Sequence, residues 1–161
     1  MPRTRLSLFL HWIPALIGIS VILIESTGSM TSANTSRWLL PIWVKLFGPI
    51  SPERWETVHH LIRKTGHFVG YGFVSLGFFE GWRYTFAGKA RSWGWLFAVA
   101  APLALVSTVL LASWDEWHQS FLPGRTSTPV DVGIDFSGAI TAHLILLLIL
   151  LLVWRVRARR S

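Results

Sequence analysis

Four apolar stretches divide the chain, and most of its polar residues collect between them. The first spans about residues 6–24, within RLSLFLHWIPALIGISVILIE, and is about nineteen residues long, close to the length that crosses a bilayer. The second covers residues 66–82 and is short and rich in glycine. Small residues in such a segment let neighbouring helices come close. The third covers residues 93–114, and the fourth covers residues 132–154 and ends in LILLLILLLVW. Pro14 is expected to bend the first segment. That segment reads as a retained helix. A cleaved leader has an apolar region of only about 7–15 residues, and no A-x-A site follows here.

The connection between the first two segments has its own pattern. Ser36–Gly48 is apolar and aromatic but short and interrupted by Pro41, which suits a piece lying at the interface. After it, Ser51 can cap a helix and Pro52 suits its first position. Trp55, Val58 and Ile62 then line one face, with charged residues elsewhere. The pattern predicts an amphipathic helix that lies on the membrane and turns downward near Gly66. The whole reads as one domain over residues 1–161: an all-α, polytopic membrane protein with four transmembrane helices and an amphipathic interfacial segment in the first outer loop.

Composition supports this reading. Hydrophobic residues make up 52% and charged residues 14%, against about 25% charged in soluble domains. Most of the ten Trp lie beside the apolar stretches, where membrane interfaces favour them. The absence of Cys excludes disulfides and thiolate chemistry. A net charge of +7 would suit nucleic acid, but the charges cap apolar segments and form no binding stripe. Arg3, Arg5, Arg83, Lys89, Arg91, Arg155, Arg157, Arg159 and Arg160 fall at one end of the four-helix arrangement. Glu25, Glu53, Glu56, Asp115, Glu116 and Asp131 fall at the other. The positive-inside rule then puts both termini in the cytoplasm.

That topology delivers ionisable groups from several segments to one outer layer. Arg63, His67, Tyr71 and Ser75 step by four, as do Asp115 and Gln119, and Asp131 and Asp135. Each set shares a helix face if its helix is continuous. Acids within a membrane face the bundle interior and find partners, and Arg125 is the expected cationic one, followed by His67. Three readings stay open. The groups can form an ion-pair network that pins the outer loop. They can form a pocket for an anion, using the Arg125 guanidinium fork. They can catalyse, with His67 near an acid as general base. His67 and the acids are also the ligand types that hold a divalent cation, although the pattern singles out no metal or cofactor. Elsewhere, His11 and His143 read as packing residues, Glu80 and Arg83 as an ion pair, and Ser107 and Thr108 as bonded to their own helix. His59 and His60 are expected to be exposed, and His118 lies off the face of Asp115.

At KTGHFVGYG (Lys64–Gly72) and DEWHQSFLPGRTSTPVDVGIDFSGA (Asp115–Ala139) the chain resembles the VanZ-like family of small bacterial membrane proteins. The family pattern falls on Lys64, His67, Phe68 and Tyr71, then on Asp115, Glu116, Gln119, Phe121, Pro123, Arg125, Asp131, Gly138 and Ala139. The motif-bearing region is thus residues 64–139. Gly70 stands where many relatives have an acid, and Asp135 stands where Asn is usual. The family takes its name from a protein associated with resistance to the glycopeptide teicoplanin. The resemblance implies a role in the cell envelope, in the bacterial inner membrane. Residues and resemblance together lead to an expected outward-facing pocket that binds an anionic lipid headgroup, an envelope precursor or a lipoglycopeptide. Arg125 and Lys64 would hold the anion; Asp115, Glu116 and Asp131 would orient Arg125 or a bound cation; His67 and Tyr71 would form the wall, and Gln119 is a further expected binding residue. The alternatives are a membrane enzyme and a structural scaffold. In the enzyme, His67 acts as base or nucleophile, Asp115 or Asp135 tunes it, and Glu116 is a further catalytic candidate. Membrane lipids are the expected partners and nucleic acid is not; no cofactor or oligomeric state is indicated.

Overall fold

The computed structural model describes residues 4–123, 125 and 127–159; Arg3 and Arg160, used in the charge argument, lie outside the described residues. Among the described residues the fold is five helices: α1 (Arg5–Glu25), α2 (Ser32–Phe47), α3 (Pro52–Phe86), α4 (Trp93–Gln119) and α5 (Pro129–Ala158). Single 3-10 turns follow α1 and α3. Local chemistry sets the starts. The hydroxyls of Thr4, Thr31, Ser51, Ser92 and Thr128 each accept a backbone N–H of the first turn, which satisfies a donor the helix itself cannot. Pro52 and Pro129 open α3 and α5, where the missing N–H costs nothing. Gly48 ends α2 at a φ of 87°, a conformation that disfavours any Cβ.

α3 is the axis of the fold, with α1, α4 and α5 all packed on it. His11 meets Glu80 while Gly18 meets Val74, so α1 runs antiparallel to α3. Lys64 meets Asp131 while Phe79 meets His143, so α5 runs parallel to it. Glycines set the closest approaches. A Cβ at Gly77 would lie 2.7 Å from the Ala15 nitrogen, and one at Gly138 would overlap the Phe68 carbonyl oxygen. Large apolar side chains of α1, α4 and α5 point outward, among them Phe9, Leu110 and Leu148, as a lipid-facing surface requires.

Among the described residues three helices, rather than the expected four, are long and apolar enough to cross a membrane: α1, α4 and α5. The stretch 66–82 fails on its own because its glycines, His67 and Glu80 dilute the apolar run. It lies inside the longest helix, with Tyr71, Val74, Phe78 and Phe79 buried against its neighbours. The expected downward turn near Gly66 is also absent. α3 continues unbroken through that residue, since a lone glycine weakens a helix by only about 1 kcal/mol. At 1.5 Å per residue, its first fourteen residues rise about 20 Å beyond Gly66, and α2 packs back along them.

His59 holds that cap together and is buried, against the expectation of exposure. Its ring nitrogens pair with the hydroxyls of Ser32 at 3.3 Å and Thr35 at 3.0 Å, and the ring stacks on Trp55. Burial, aided by the Arg63 and His60 charges, lowers its pKa. A His whose pKa is depressed on folding contributes stability above its unfolded value, and that contribution fades as pH falls through the folded value. We therefore expect α2 amides to exchange with solvent faster as pH falls below about 6.5, after correction for intrinsic exchange. A His59→Gln chain should lose most of that pH dependence.

Candidate polar site at one end of the bundle

One layer gathers the ends of four elements: the last residues of α1, positions 63–71 of α3, the last turn of α4 and the first turns of α5. The four-residue steps of α3 survive because the helix is continuous, and they aim one row inward. Lys64 Nζ donates to Asp131 Oδ1 at 2.9 Å, tying α3 to α5. The Tyr71 hydroxyl donates to Asp115 Oδ2 at 2.9 Å, tying α3 to α4, and both residues are fully buried. His67 Nδ1 stands 3.5 Å from Asp135 Oδ1, and its ring stacks over Tyr71. Glu116 joins α4 to the start of α5. Its side chain accepts the Thr128 N–H at 3.1 Å, and its carbonyl accepts the Ser127 hydroxyl at 2.6 Å. Thr128 also donates from its hydroxyl to Asp131 Oδ2 at 2.9 Å.

Arg125 behaves differently from the expectation. It makes no ion pair with Asp115, Glu116 or Asp131 among the described residues. It donates to the Gln119 side chain at 3.3 Å and to the backbone carbonyls of Glu25 and Thr27. The reason is competition. Each acid already has a nearer partner on its own or an adjacent helix, and the loop carries Arg125 toward the end of α1. The expected pairing of Lys64 with an anion meets the same obstacle, since Asp131 occupies its ammonium.

All nine expected residues do fall in this layer: His67, Asp115, Glu116, Asp135, Lys64, Tyr71, Gln119, Arg125 and Asp131. Three ionisable residues that line the site were not singled out for it: Glu25, His60 and Arg63. Arg63 opens the four-step row, so spacing alone would have found it. Glu25 joins only through the return of a distant loop. His118, set aside from sequence, pairs its Nδ1 with the Ser26 hydroxyl at 3.1 Å and pins the end of α1 to α4.

Two hollows share this layer. A cavity of about 60 Å³ lies between α3, α4 and α5, walled in part by Lys64, His67, Glu116, Asp131 and Asp135. A larger groove of about 340 Å³ runs under α2, with Met30, Trp38, Leu39 and Ile62 on its apolar wall and Arg63, His67 and Arg125 on its polar one. Arg63 and His67 line both. Several buried atoms here have no hydrogen-bond partner among the described residues: His67 Nδ1, Asp115 Oδ1, Gln119 Nε2, Arg125 Nε and both oxygens of Asp135. No group of three or more His, Asp or Glu is placed to hold a metal ion among the described residues.

Removing the Tyr71 hydroxyl tests the most buried pairing. Tyr71→Phe leaves Asp115 buried with no donor. We expect a loss of roughly 1–3 kcal/mol, read as earlier thermal unfolding of the detergent-solubilised chain. Asp115→Asn combined with Tyr71→Phe should lose less than the two single losses added.

Away from this layer, several expectations hold. Arg83 pairs with Glu80 at 2.6 Å, and His11 joins them at 2.7 Å. Ser107 and Thr108 donate to carbonyls one turn back. His143 is buried against Phe79 and pairs with the Ala139 carbonyl.

No curated protein and no solved structure matches the chain. A sequence model of one membrane-protein family does match, over residues 8–151. Both stretches that build the polar layer, Lys64–Gly72 and Asp115–Ala139, lie inside that match, which leaves out only the two ends of the 161 residues. The chain is a membrane protein of the VanZ/LLP1 family.

Proposed function

We propose that this protein binds the anionic headgroup of a membrane amphiphile in the groove under α2, at the outer face of a bacterial cytoplasmic membrane. One observation carries the reading: two half-buried guanidiniums, Arg63 and Arg125, face one amphiphilic groove, and neither forms an ion pair with a carboxylate among the described residues. Arg63 makes no hydrogen bond or ion pair among the described residues, and Arg125 donates only to neutral oxygens. Burial lowers the pKa of both, and the charge of Arg63 adds to the effect on Arg125. Both still remain cationic at any ordinary pH. Glu25 at the exposed rim offsets part of the repulsion. A phosphate or carboxylate between the two forks would offset more, and charge-assisted bonds of this kind are strong. The apolar wall of Met30, Trp38, Leu39 and Ile62 suits the tail of the same molecule.

Arg125 thus keeps the anion-holding role expected from sequence, and Arg63 takes the role expected of Lys64. An anionic phospholipid fits this chemistry. A lipid-linked envelope precursor or a lipid-tailed glycopeptide would present the same groups, which is how this reading meets the teicoplanin association of the family's name. The binding test is native mass spectrometry of the purified chain against phosphatidylglycerol and phosphatidylcholine. Selective retention of the anionic lipid supports the reading, and equal retention of both removes it.

The topology that supports this reading has four crossings, with α3 as a shielded fourth. Its second half runs beside α1, from the level of Glu25 to that of Ser7. Surrounded by three apolar helices, it has little need of an apolar surface of its own. Seven of the eight acids lie toward the polar layer, Glu80 being the exception, and the positive-inside rule puts the opposite end in the cytoplasm. The natural chain has no Cys, so single replacements report cleanly. Ser120→Cys should react with an impermeant maleimide on intact cells, and Ala90→Cys only after permeabilisation. The reverse pattern would invert the topology.

A further inference from the structure

Asp135 is the least economical residue in the fold. It is wholly buried, and neither oxygen has a hydrogen-bond partner among the described residues. A buried acid retained for structure is expected to be bonded, as Asp131 is to Lys64 and Asp115 is to Tyr71, both at 2.9 Å. Asp135 instead stands 3.5 Å from one edge of the His67 ring. Its carboxylate is placed to receive a ring that becomes cationic, because apo catalytic contacts of this kind are often long and tighten during reaction. The Nδ1 edge of His67 is turned toward Asp135, which leaves the Nε2 edge for the two hollows that the ring lines. One of these is a polar cavity with room for a few waters. The other is the groove in which Arg63 and Arg125 would hold an anion.

We propose that His67, oriented and electrostatically supported by Asp135, is a general base for hydrolysis of a phosphate ester in the amphiphile bound under α2. The proposal rests on the anion-binding reading above. A water in the polar cavity loses a proton to His67 Nε2 as its oxygen forms a bond to phosphorus. The bond from phosphorus to the alcohol oxygen breaks, and the departing oxygen takes the proton back from His67. The products are the alcohol and the phosphate that retains the water oxygen. Arg63 and Arg125 neutralise the non-bridging oxygens, and Asp135 stabilises the imidazolium while it exists. Asp135 acts through the His67 ring, so it is a positioning residue.

The test uses the full chain in nanodiscs containing phosphatidylglycerol, incubated in ¹⁸O-labelled water, with lipid products read by mass spectrometry and bound lipid measured in parallel. The wild-type chain should release product carrying one ¹⁸O on phosphorus. His67→Gln should lower turnover at least a hundredfold, far more than it lowers lipid retention. Asp135→Asn should lower kcat more than it changes KM, and should shift the rising limb of the pH–rate profile to lower pH because the imidazolium loses its counter-charge. Retention of the lipid without turnover in the wild-type chain overturns the catalytic proposal and leaves the binding reading standing. So does turnover unaffected by His67→Gln. Failure to retain anionic lipid at all overturns the binding reading first.

Discussion

Gly138→Ala is expected to separate α3 from α5 and to weaken the whole polar layer. The added Cβ would overlap the Phe68 carbonyl oxygen, which is backbone and cannot rotate away. Relief requires one helix to translate or turn, and Lys64–Asp131 and His67–Asp135 lie within two turns of that contact. Overpacking of this kind costs roughly 1–3 kcal/mol, occasionally more. For a chain of this size that corresponds to a drop in Tm of about 3–10 °C, measured by loss of the monodisperse peak after heating in detergent. Gly133→Ala is the control. It lies on the same helix with nothing within 4 Å of its Cβ position, so its Tm should stay level or rise slightly. Equal behaviour of the two variants would remove the close approach as the cause.

Arg63→Gln and Arg125→Gln are expected to release anionic lipid, with the larger loss from Arg63. That guanidinium makes no hydrogen bond or ion pair among the described residues, so its donors are available to the ligand. Arg125 also closes the loop onto α1. A hydrogen bond to a charged group is worth about 1.5–3 kcal/mol, so each substitution should weaken phosphatidylglycerol retention by about tenfold to a hundredfold. Retention of phosphatidylcholine should be nearly unchanged. Arg63→Lys should recover only part of the loss, because an ammonium lacks the two-pronged fork. A Tm measurement separates the two residues further. Arg63→Gln should leave it near the wild-type value, while Arg125→Gln should lower it. Full retention in the double variant would show that these guanidiniums do not hold the headgroup.

The gap between sequence and structure is clearest at three residues. Gly66 invites a break, yet α3 passes through it because packing on both sides outweighs one weak position. His59 sits on a charged, amphipathic stretch and gives no sign of burial; its burial follows from α2 folding back to place Ser32 and Thr35 against it. Arg125 lies among acids in the sequence and bonds to none of them. Besides the Gln119 side chain, its contacts are carbonyls about a hundred positions earlier, which no local spacing encodes. By contrast, the steps Arg63–His67–Tyr71 and Asp131–Asp135 were readable, because helical periodicity fixes which residues share a face.

By itself the sequence determined that this is an all-helical membrane protein, where most helices start, and which end of the bundle carries its ionisable groups. Those properties are local: apolar length, capping hydroxyls and four-residue steps act within a single segment. The tertiary structure decided which helix is the axis, which acid meets which base, and that Arg63 and Arg125 share a groove. Those outcomes depend on how far two helices approach and rotate. Here the approach is set by backbone meeting backbone, at Gly77 against Ala15 and at Gly138 against Phe68.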